Sequence, residues 1–230
     1  MRKLLISALA AAALVGCEQR TDQELQKAAL VKTLTYQLYV DFQNLKQYPG
    51  DVLCGEYSAP DQWGNGAAFK PFVVIGLNPI SNPVPADTAV FCSEDAEAGL
   101  YESLGISPLS DTEAGVQKIY DDLTLIADAL ARFESAHGFF PSSDQGIAAL
   151  VSVPTRGAVP KDYPEQGYLA ELPQDPWGND YSYYSEPFGG VKGHYQLWTY
   201  GKNGAEGGRG ANADIRLENL KYLDHVKAVR

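Results

Sequence analysis

The residues with the clearest capacity for chemistry lie near the C-terminus, in Gly201-Lys202-Asn203-Gly204-Ala205-Glu206-Gly207-Gly208-Arg209-Gly210-Ala211-Asn212-Ala213-Asp214-Ile215. Glycine frees the backbone to turn its carbonyls inward. Asn203, Asn212 and Asp214 add side-chain oxygens. A donor set made only of oxygen suits calcium, a hard cation taking about six to eight ligands. The competing reading is a glycine loop closed by its own hydrogen bonds, with Glu206 and Arg209 facing water. It is not a phosphate loop, because no Gly-Lys-Ser/Thr ending follows.

Cysteine supplies the second chemistry, with three in the chain. Cys17 ends an apolar run and is treated below. Cys54 and Cys92 form an even pair. An oxidising compartment permits them a disulfide, and two separate buried thiols are the alternative. Zinc is disfavoured, since none of the three histidines lies at ligand spacing from either cysteine. His137, His194 and His225 are far apart and lack catalytic flanks. No Gly-x-Ser-x-Gly elbow and no His-Glu-x-x-His is present. The acids Asp121 and Asp122 read as a solvated helix face. The expectation is therefore a noncatalytic protein.

These groups need elements to position them. Asp111 to about Ala136 predicts a long amphipathic helix. Val116, Ile119, Tyr120, Leu123, Ile126, Leu130 and Phe133 form its apolar stripe, and Gly138 is its stop. A shorter helix is expected over Asp144 to Val151. Tyr181, Tyr183 and Tyr184 mark one strand, and Tyr195, Leu197 and Thr199 alternate along another. Residues 218–230 read as a polar tail. Upstream, Leu30, Leu34, Leu38, Phe42 and Leu45 predict a helix from Leu25 to about Gln47, stopped by Tyr48-Pro49-Gly50. Residues 51–110 read as loops and short strands, with Phe69 to Leu77 and Thr88 to Cys92 as the strand candidates. Pro108 marks a boundary. The fold class is α+β: a long helix on a small antiparallel sheet with a glycine-rich loop (111–217), after an N-terminal domain (24–110).

Asp61-Gln62-Trp63-Gly64-Asn65 echoes Asp175-Pro176-Trp177-Gly178-Asn179. The echo fits a degenerate second copy of the C-terminal domain upstream, and chance similarity over five residues competes with it. Asp, Pro and Gly suit the turn positions they occupy in the second copy. Trp177 and the nearby tyrosines read as packing rather than ligand binding.

The chain starts with Arg2 and Lys3, then an apolar stretch from Leu4 to Val15 broken only by Ser7, then Gly16 and Cys17. That stretch is shorter than the roughly 20 apolar residues of a membrane span. It fits the core of a secretory signal peptide, 1–16. Leu14-Val15-Gly16-Cys17 resembles the lipobox of bacterial lipoproteins, where a lipid joins the cysteine and cleavage falls just before it. The resemblance implies several acyl chains on Cys17, palmitate among them, and stable anchoring needs at least two. Residues 17–23 are then a tether. Removing 1–16 takes away Arg2 and Lys3 and no acid, which moves the formal charge from −11 to −13. Such a balance argues against nucleic acid and against a polybasic grip on lipid.

The second half resembles the major pseudopilin of the bacterial type II secretion system. Three blocks carry the likeness in the family's order: Phe133 to Leu150, Gly167 to Tyr181, and Gly201 to Ile215. The resemblance implies calcium in the glycine loop. Asp214 lies in the matching Ala-Asp-Ile element with Asn212 just before it, and backbone carbonyls of Tyr200 and Ala205 complete the shell. Asn203 stands where the family has an aspartate ligand, which keeps an oxygen and removes a charge. A second departure is at the N-terminus. Pseudopilins carry a long apolar helix that anchors the subunit and builds the filament, whereas the apolar run here ends at a lipobox.

The expected function is a noncatalytic cell-envelope lipoprotein that binds protein partners, components of a secretion or pilus-like system. Glu18, in place of the aspartate that retains some lipoproteins at the inner membrane, favours the outer membrane. A free-standing calcium-stabilised recognition module outside the cytoplasm is the alternative, and an envelope hydrolase is a distant third.

Overall fold

The computed structural model describes residues 22–61, 63–107, 113–185 and 194–230. The expected signal segment and Cys17 lie outside the described residues. The architecture is α+β, with two antiparallel sheets in the orders β1-β2-β3-β4 and β5-β6-β7. The chain divides into two compact units: residues up to Gly99 with His225–Arg230, and Leu100–Asp224.

In the first unit, helix α1 (22–33) buries Leu30 and Gln26. It ends at Thr33, whose hydroxyl donates back to Leu30 O at 2.7 Å. The expected continuation to Gln47 is wrong. Residues 41–48 form strand β1 (Asp41–Tyr48), paired with β2 (Val52–Ser58). A bulge explains the misleading pattern. The register shifts between Gln43 and Lys46, and Asn44 takes φ +55°. One extra residue in the strand puts Phe42 and Leu45, three apart, on the same face, and both pack on the core. Helical spacing at this point is a strand with an insertion.

The turn from β1 to β2 runs through Gly50 at φ +78° and Asp51 at φ +57°. A Cβ on Gly50 would lie 2.7 Å from Val229 and 2.8 Å from His225, so only glycine fits. The Gln26 amide reaches Asp51 O at 2.9 Å and ties α1 to this turn. Strand β3 (Lys70–Ile75) falls where expected and pairs with β2 and with β4 (Asn78–Ile80). Leu30, Leu53, Tyr57, Phe72 and Val74 form the core. Phe72 meets Phe42 and Tyr57 edge-on, with centroids 5.8 and 6.2 Å apart.

The Thr88–Cys92 strand expectation is also overturned, because Thr88–Phe91 belong to helix α2 (Pro85–Phe91) and Cys92 is its C-cap. Proline at the first helical position is preorganised for a helix, and the Asp87 carboxylate accepts Val84 N–H at 3.0 Å. A third helix, α3 (Ala96–Leu104), starts where Asp95 accepts Ala98 N–H. Short helices with few periodic positions leave little signal in a sequence. Cys54 on β2 and Cys92 after α2 form a disulfide, Cα–Cα 6.0 Å, closing a separation of 38 residues.

The second unit is built on α4 (Glu113–His137). Ile119, Leu123, Ile126, Leu130 and Phe133 are fully buried along one stripe. Gly138, at φ +77°, ends the helix with its N–H on Glu134 O. A single 3-10 turn, Ile147–Leu150, replaces the short helix expected over 144–151. Strands β5 (Ser182–Ser185), β6 (Tyr195–Thr199) and β7 (Ile215–Arg216) form the small sheet. The expected polar tail is structured. After a 3-10 turn, helix α5 (Leu220–Ala228) buries Leu220, Tyr222, Leu223 and Val226. Its apolar residues are interleaved with Lys221, Asp224 and Lys227, which mask the stripe in a count of charge.

Two tests follow. Unfolding the oxidised mature protein should expose no labelled thiol at Cys54 or Cys92, and reduction should cost about 4 kcal/mol for a loop of this length. Labelling of both cysteines without reductant would sink the pairing. The second concerns His225, which stacks edge-on against Phe91 at 5.0 Å with Nε2 unpartnered. Burial holds its pKa below the usual histidine range. The unfolded chain then binds a proton that the folded one resists, so stability falls as pH drops below about 6.5. His225→Leu should flatten denaturant midpoints between pH 7 and 5, and an unchanged slope would refute this.

Candidate functional site: the Asp175 turn and the glycine loop

The turn Asp175-Pro176-Trp177-Gly178-Asn179 is organised by one carboxylate. Asp175 Oδ1 accepts Trp177 N–H at 3.0 Å and Asn179 N–H at 2.8 Å. Its Oδ2 accepts Asn179 Nδ2 at 3.2 Å and the Thr199 hydroxyl at 2.8 Å. Asp175 N–H closes the ring on Asn179 O. The carboxylate is only 3% exposed, so these four donors replace water around a buried charge.

The same atoms lead into the glycine loop. Thr199 Oγ1 also accepts Gly201 N–H at 3.0 Å, and Asn179 Nδ2 donates to Gly201 O at 2.9 Å. Gly201 has φ +66°, and a Cβ there would lie 2.7 Å from Ala211 O and 2.8 Å from Ala213 O. Its glycine identity is therefore steric. Lys202 N–H on Ala211 O pairs the two ends of the loop.

Helix α4 is fastened to the same turn from the other side. Tyr181 donates its hydroxyl to Asp122 Oδ2 at 2.7 Å, and Lys118 bridges Asp122 and Gln174 O. Asp122 is buried, so the solvated face expected for it is wrong: a tyrosine on the sheet side and a lysine one turn away enclose the acid. Burial first, then the Asp122 hydrogen bond, push the Tyr181 pKa well above the usual tyrosine range, and the phenol stays a donor. His137 also has a specific partner, with its Nε2 2.7 Å from Tyr168 Oη.

Two of the expected calcium ligands, Asn203 and Asp214, spend side-chain oxygens on N–H groups of the loop itself. Asn203 Oδ1 accepts Ala205 N–H at 3.3 Å. Both oxygens of Asp214 take Gly207 N–H, at 3.1 and 3.0 Å. Tyr200 sits edge-on to Trp198 at 5.8 Å, and Asn212 donates its backbone N–H to Arg209 O. The described residues contain no group of three acids, histidines or cysteines able to hold a metal. The donors are right in type for calcium but carry little charge, and both Asp214 oxygens face the Gly207 N–H.

Arg209 is exposed, as expected, and it also braces the loop. Its guanidinium donates to Tyr101 O and Glu102 O, each at 3.1 Å, and lies 5.0 Å from the Tyr101 ring. Gly210 N–H adds a bond to Gly105 O at 2.8 Å. A cation on the last carbonyls of α3 sits at the favourable end of the helix dipole. Sequence reasoning missed Thr199, Asn179 and Arg209 as positioning residues, because each acts on a partner distant in the chain. The recurring Asp-x-Trp-Gly-Asn was the one available signal.

That recurrence is structural. In the first unit, Asp61 Oδ1 accepts Trp63 N–H at 2.8 Å and Asn65 N–H at 2.9 Å, and Oδ2 accepts Asn65 Nδ2 at 3.2 Å. Asp61 N–H bonds Asn65 O, and Gly64 N–H bonds Asp61 O, each at 3.0 Å, as Gly178 N–H bonds Asp175 O. Every bond within the second turn has its counterpart in the first. Asp61 is exposed, and its N–H partners, Asn65 foremost, hold its carboxyl below the usual range.

Comparison with known proteins places these features. Residues 109–218 match the family model described as type II secretion system (T2SS), protein G. Type II secretion system core protein G of Vibrio cholerae is 41% identical over 109 residues, covering 47% of this chain and 72% of that protein. The Pseudomonas aeruginosa protein of the same name is 41% identical over 103 residues, 45% of this chain and 70% of that one. A crystal structure of the major pseudopilin of enterohaemorrhagic Escherichia coli is 30% identical, with a TM-score of 0.42, covering 49% of this chain and 90% of that one. On the strength of the sequence relatives, this chain belongs to the type II secretion system protein G family.

Proposed function

We propose that this protein is a noncatalytic lipoprotein of the cell envelope, held by lipid on Cys17, whose protein G domain docks other components of a secretion or pilus-like apparatus. The observation that carries this reading is the protein G family match over residues 109–218 on a chain whose N-terminal sequence ends an apolar run at the lipobox-like Cys17. Among the described residues no helix is long and apolar enough to cross a membrane. A lipid and a filament-building helix solve the same problem of attachment, but only the helix also packs into a filament core. The lipid-anchored domain therefore acts as a tethered binder, with outer-membrane placement favoured by Glu18.

Calcium belongs to this proposal as a weak ligand. Asn203, Asp214 and Asn212, with the carbonyls of Tyr200 and Ala205, are the oxygens that would hold it. Affinity near the 10⁻⁴–10⁻³ M of extracellular modules is expected for so few charges, as an order of magnitude. Arg209 and the Asp214–Gly207 bonds keep the loop ordered when the ion is absent.

Three outcomes are expected. Mass spectrometry of protein extracted from native envelopes should find an acylated cysteine at residue 17 as the new N-terminus, and an unmodified Cys17 would remove the anchor. Crosslinking in intact envelopes should recover secretion or pilus components, and recovery of none would turn the reading toward a free-standing recognition module. Calcium at tenfold above its Kd should add about 1.4 kcal/mol, about 3–6 °C in Tm for a domain of this size. That gain should vanish with EGTA and in Asp214→Ala. An unchanged Tm in millimolar calcium would eliminate the metal.

A further inference from the structure

In the first unit two connections converge. Leu34, Thr35 and Tyr36, after α1, line a shallow apolar cleft with Ala59, Pro60, Ala67 and Ala68, between β2 and β3. These connections hold an unusual share of exposed large side chains: Tyr36 at 43%, Leu38 at 73%, Tyr39 at 88%, Trp63 at 78% and Phe69 at 41%. Tyr39 has φ +59°, a conformation that bulky residues rarely adopt. Trp63 rides on the Asp61 turn, whose twin in the second unit carries a half-buried tryptophan. One turn has kept its local bonds with the ring turned out to solvent. Exposed aromatics on two connections that meet at one cleft mark a surface meant to be covered.

Charge and chain length identify the covering. The protein has a formal charge of −11. Residues 31–40 nonetheless contain Lys32 and no acid, and residues 59–70 contain Lys70 with a single acid, Asp61. Asp61 spends its carboxylate on the N–H groups of its own turn. The patch is thus an acid-poor island on an acidic molecule. Tyrosine and tryptophan, apolar in body and polar at the tip, favour the headgroup level of a bilayer. Lysine stems can cover apolar surface while the ammonium group reaches lipid phosphates, and Lys32 and Lys70, both exposed, lie within these segments. Five peptide steps separate Cys17 from Asp22, a reach of at most about 18 Å. Helix α1, with twelve residues (22–33), adds about 18 Å. A lipid on Cys17 would therefore hold the far end of α1, where the patch begins, within about 36 Å of the attachment point.

We infer that this face, with Tyr36, Leu38, Tyr39, Trp63, Phe69 and Lys70, seats in the interface of the bilayer that holds the Cys17 lipid. The inference rests on the anchoring proposed above. The patch alone binds lipid weakly. Tethering converts that contact into an intramolecular one, so a modest patch suffices to fix how the unit lies on the surface.

The test uses the full chain from envelopes, reconstituted in phosphatidylethanolamine–phosphatidylglycerol vesicles whose acyl chains carry bromine. Wild type minus Trp63→Phe isolates the Trp63 emission, and the exposed position lets the variant fold. Mass spectrometry on the same sample reads the Cys17 lipid. The expected result is Trp63 emission that is quenched by bromolipid, shifted to shorter wavelength, and at least halved in its sensitivity to acrylamide. Leu38→Ser with Tyr39→Ser should return all three values toward water. A lipidated Cys17 with Trp63 unquenched and open to acrylamide overturns the membrane face and leaves the anchor standing. Trp63 shielded from acrylamide yet untouched by bromolipid means that protein covers the patch, which also overturns it. Cys17 without lipid overturns anchor and face together.

Discussion

The Asp175 carboxylate accepts two backbone N–H groups, one amide and one hydroxyl while almost wholly out of water. Burying such a charge costs several kcal/mol unless every lone pair finds a donor. The local turn supplies three donors, and Thr199 on β6 supplies the fourth. Satisfying the acid therefore holds the turn against the strand. Because Thr199 and Asn179 also bond Gly201, it sets the entry of the glycine loop as well. On the opposite side, Lys118 links Gln174 to Asp122, and Asp122 to Tyr181. Helix, turn, sheet and loop of the second unit thus meet through a short chain of charged and polar contacts, with the α4 stripe as the apolar mass behind them.

The twin turn at Asp61 shows how far local sequence alone can go. Aspartate and asparagine form the same bonds with or without a protein behind them, since every partner is within four residues. What differs is the environment: Asp175 is buried with a strand donor, and Asp61 is exposed. Around this shared turn the two units are elaborated differently. The first has two strands before its turn and carries a disulfide; the second has its whole sheet after the turn.

The glycine loop illustrates a choice between two ways of ordering flexible backbone. An ion can gather carbonyls and carboxylates, or the protein can supply its own donors. Here Gly207 N–H takes Asp214, and Arg209 clamps the loop to the end of α3. Each guanidinium–carbonyl bond is charge-assisted and stronger than a neutral one. Arg209 and the Asp214–Gly207 bonds thus order the loop through the protein's own groups.

Sequence alone was enough for the α4 stripe, the β3, β5 and β6 strands, the Asp-x-Trp-Gly-Asn echo and the protein G likeness, and it left Cys54 and Cys92 able to pair or to stay apart. The features it showed each depend on a local period or a motif. Tertiary structure decided the rest. Phe42 and Leu45 have helical spacing but lie on a bulged strand, because pairing with β2 outweighs local periodicity. Thr88–Phe91 is β-branched and apolar yet helical, because Pro85 and Asp87 start a helix. The charged C-terminus folds as α5, because burial of four apolar side chains outweighs its charge. Asp122 looked solvated until Tyr181 arrived from tens of residues away, and Arg209, exposed as expected, also finds the carbonyls at the end of α3. A linear pattern records what a residue prefers among its neighbours in the chain; which distant donor reaches a buried acid, or which carbonyls receive a cation, is settled only when the chain has closed on itself.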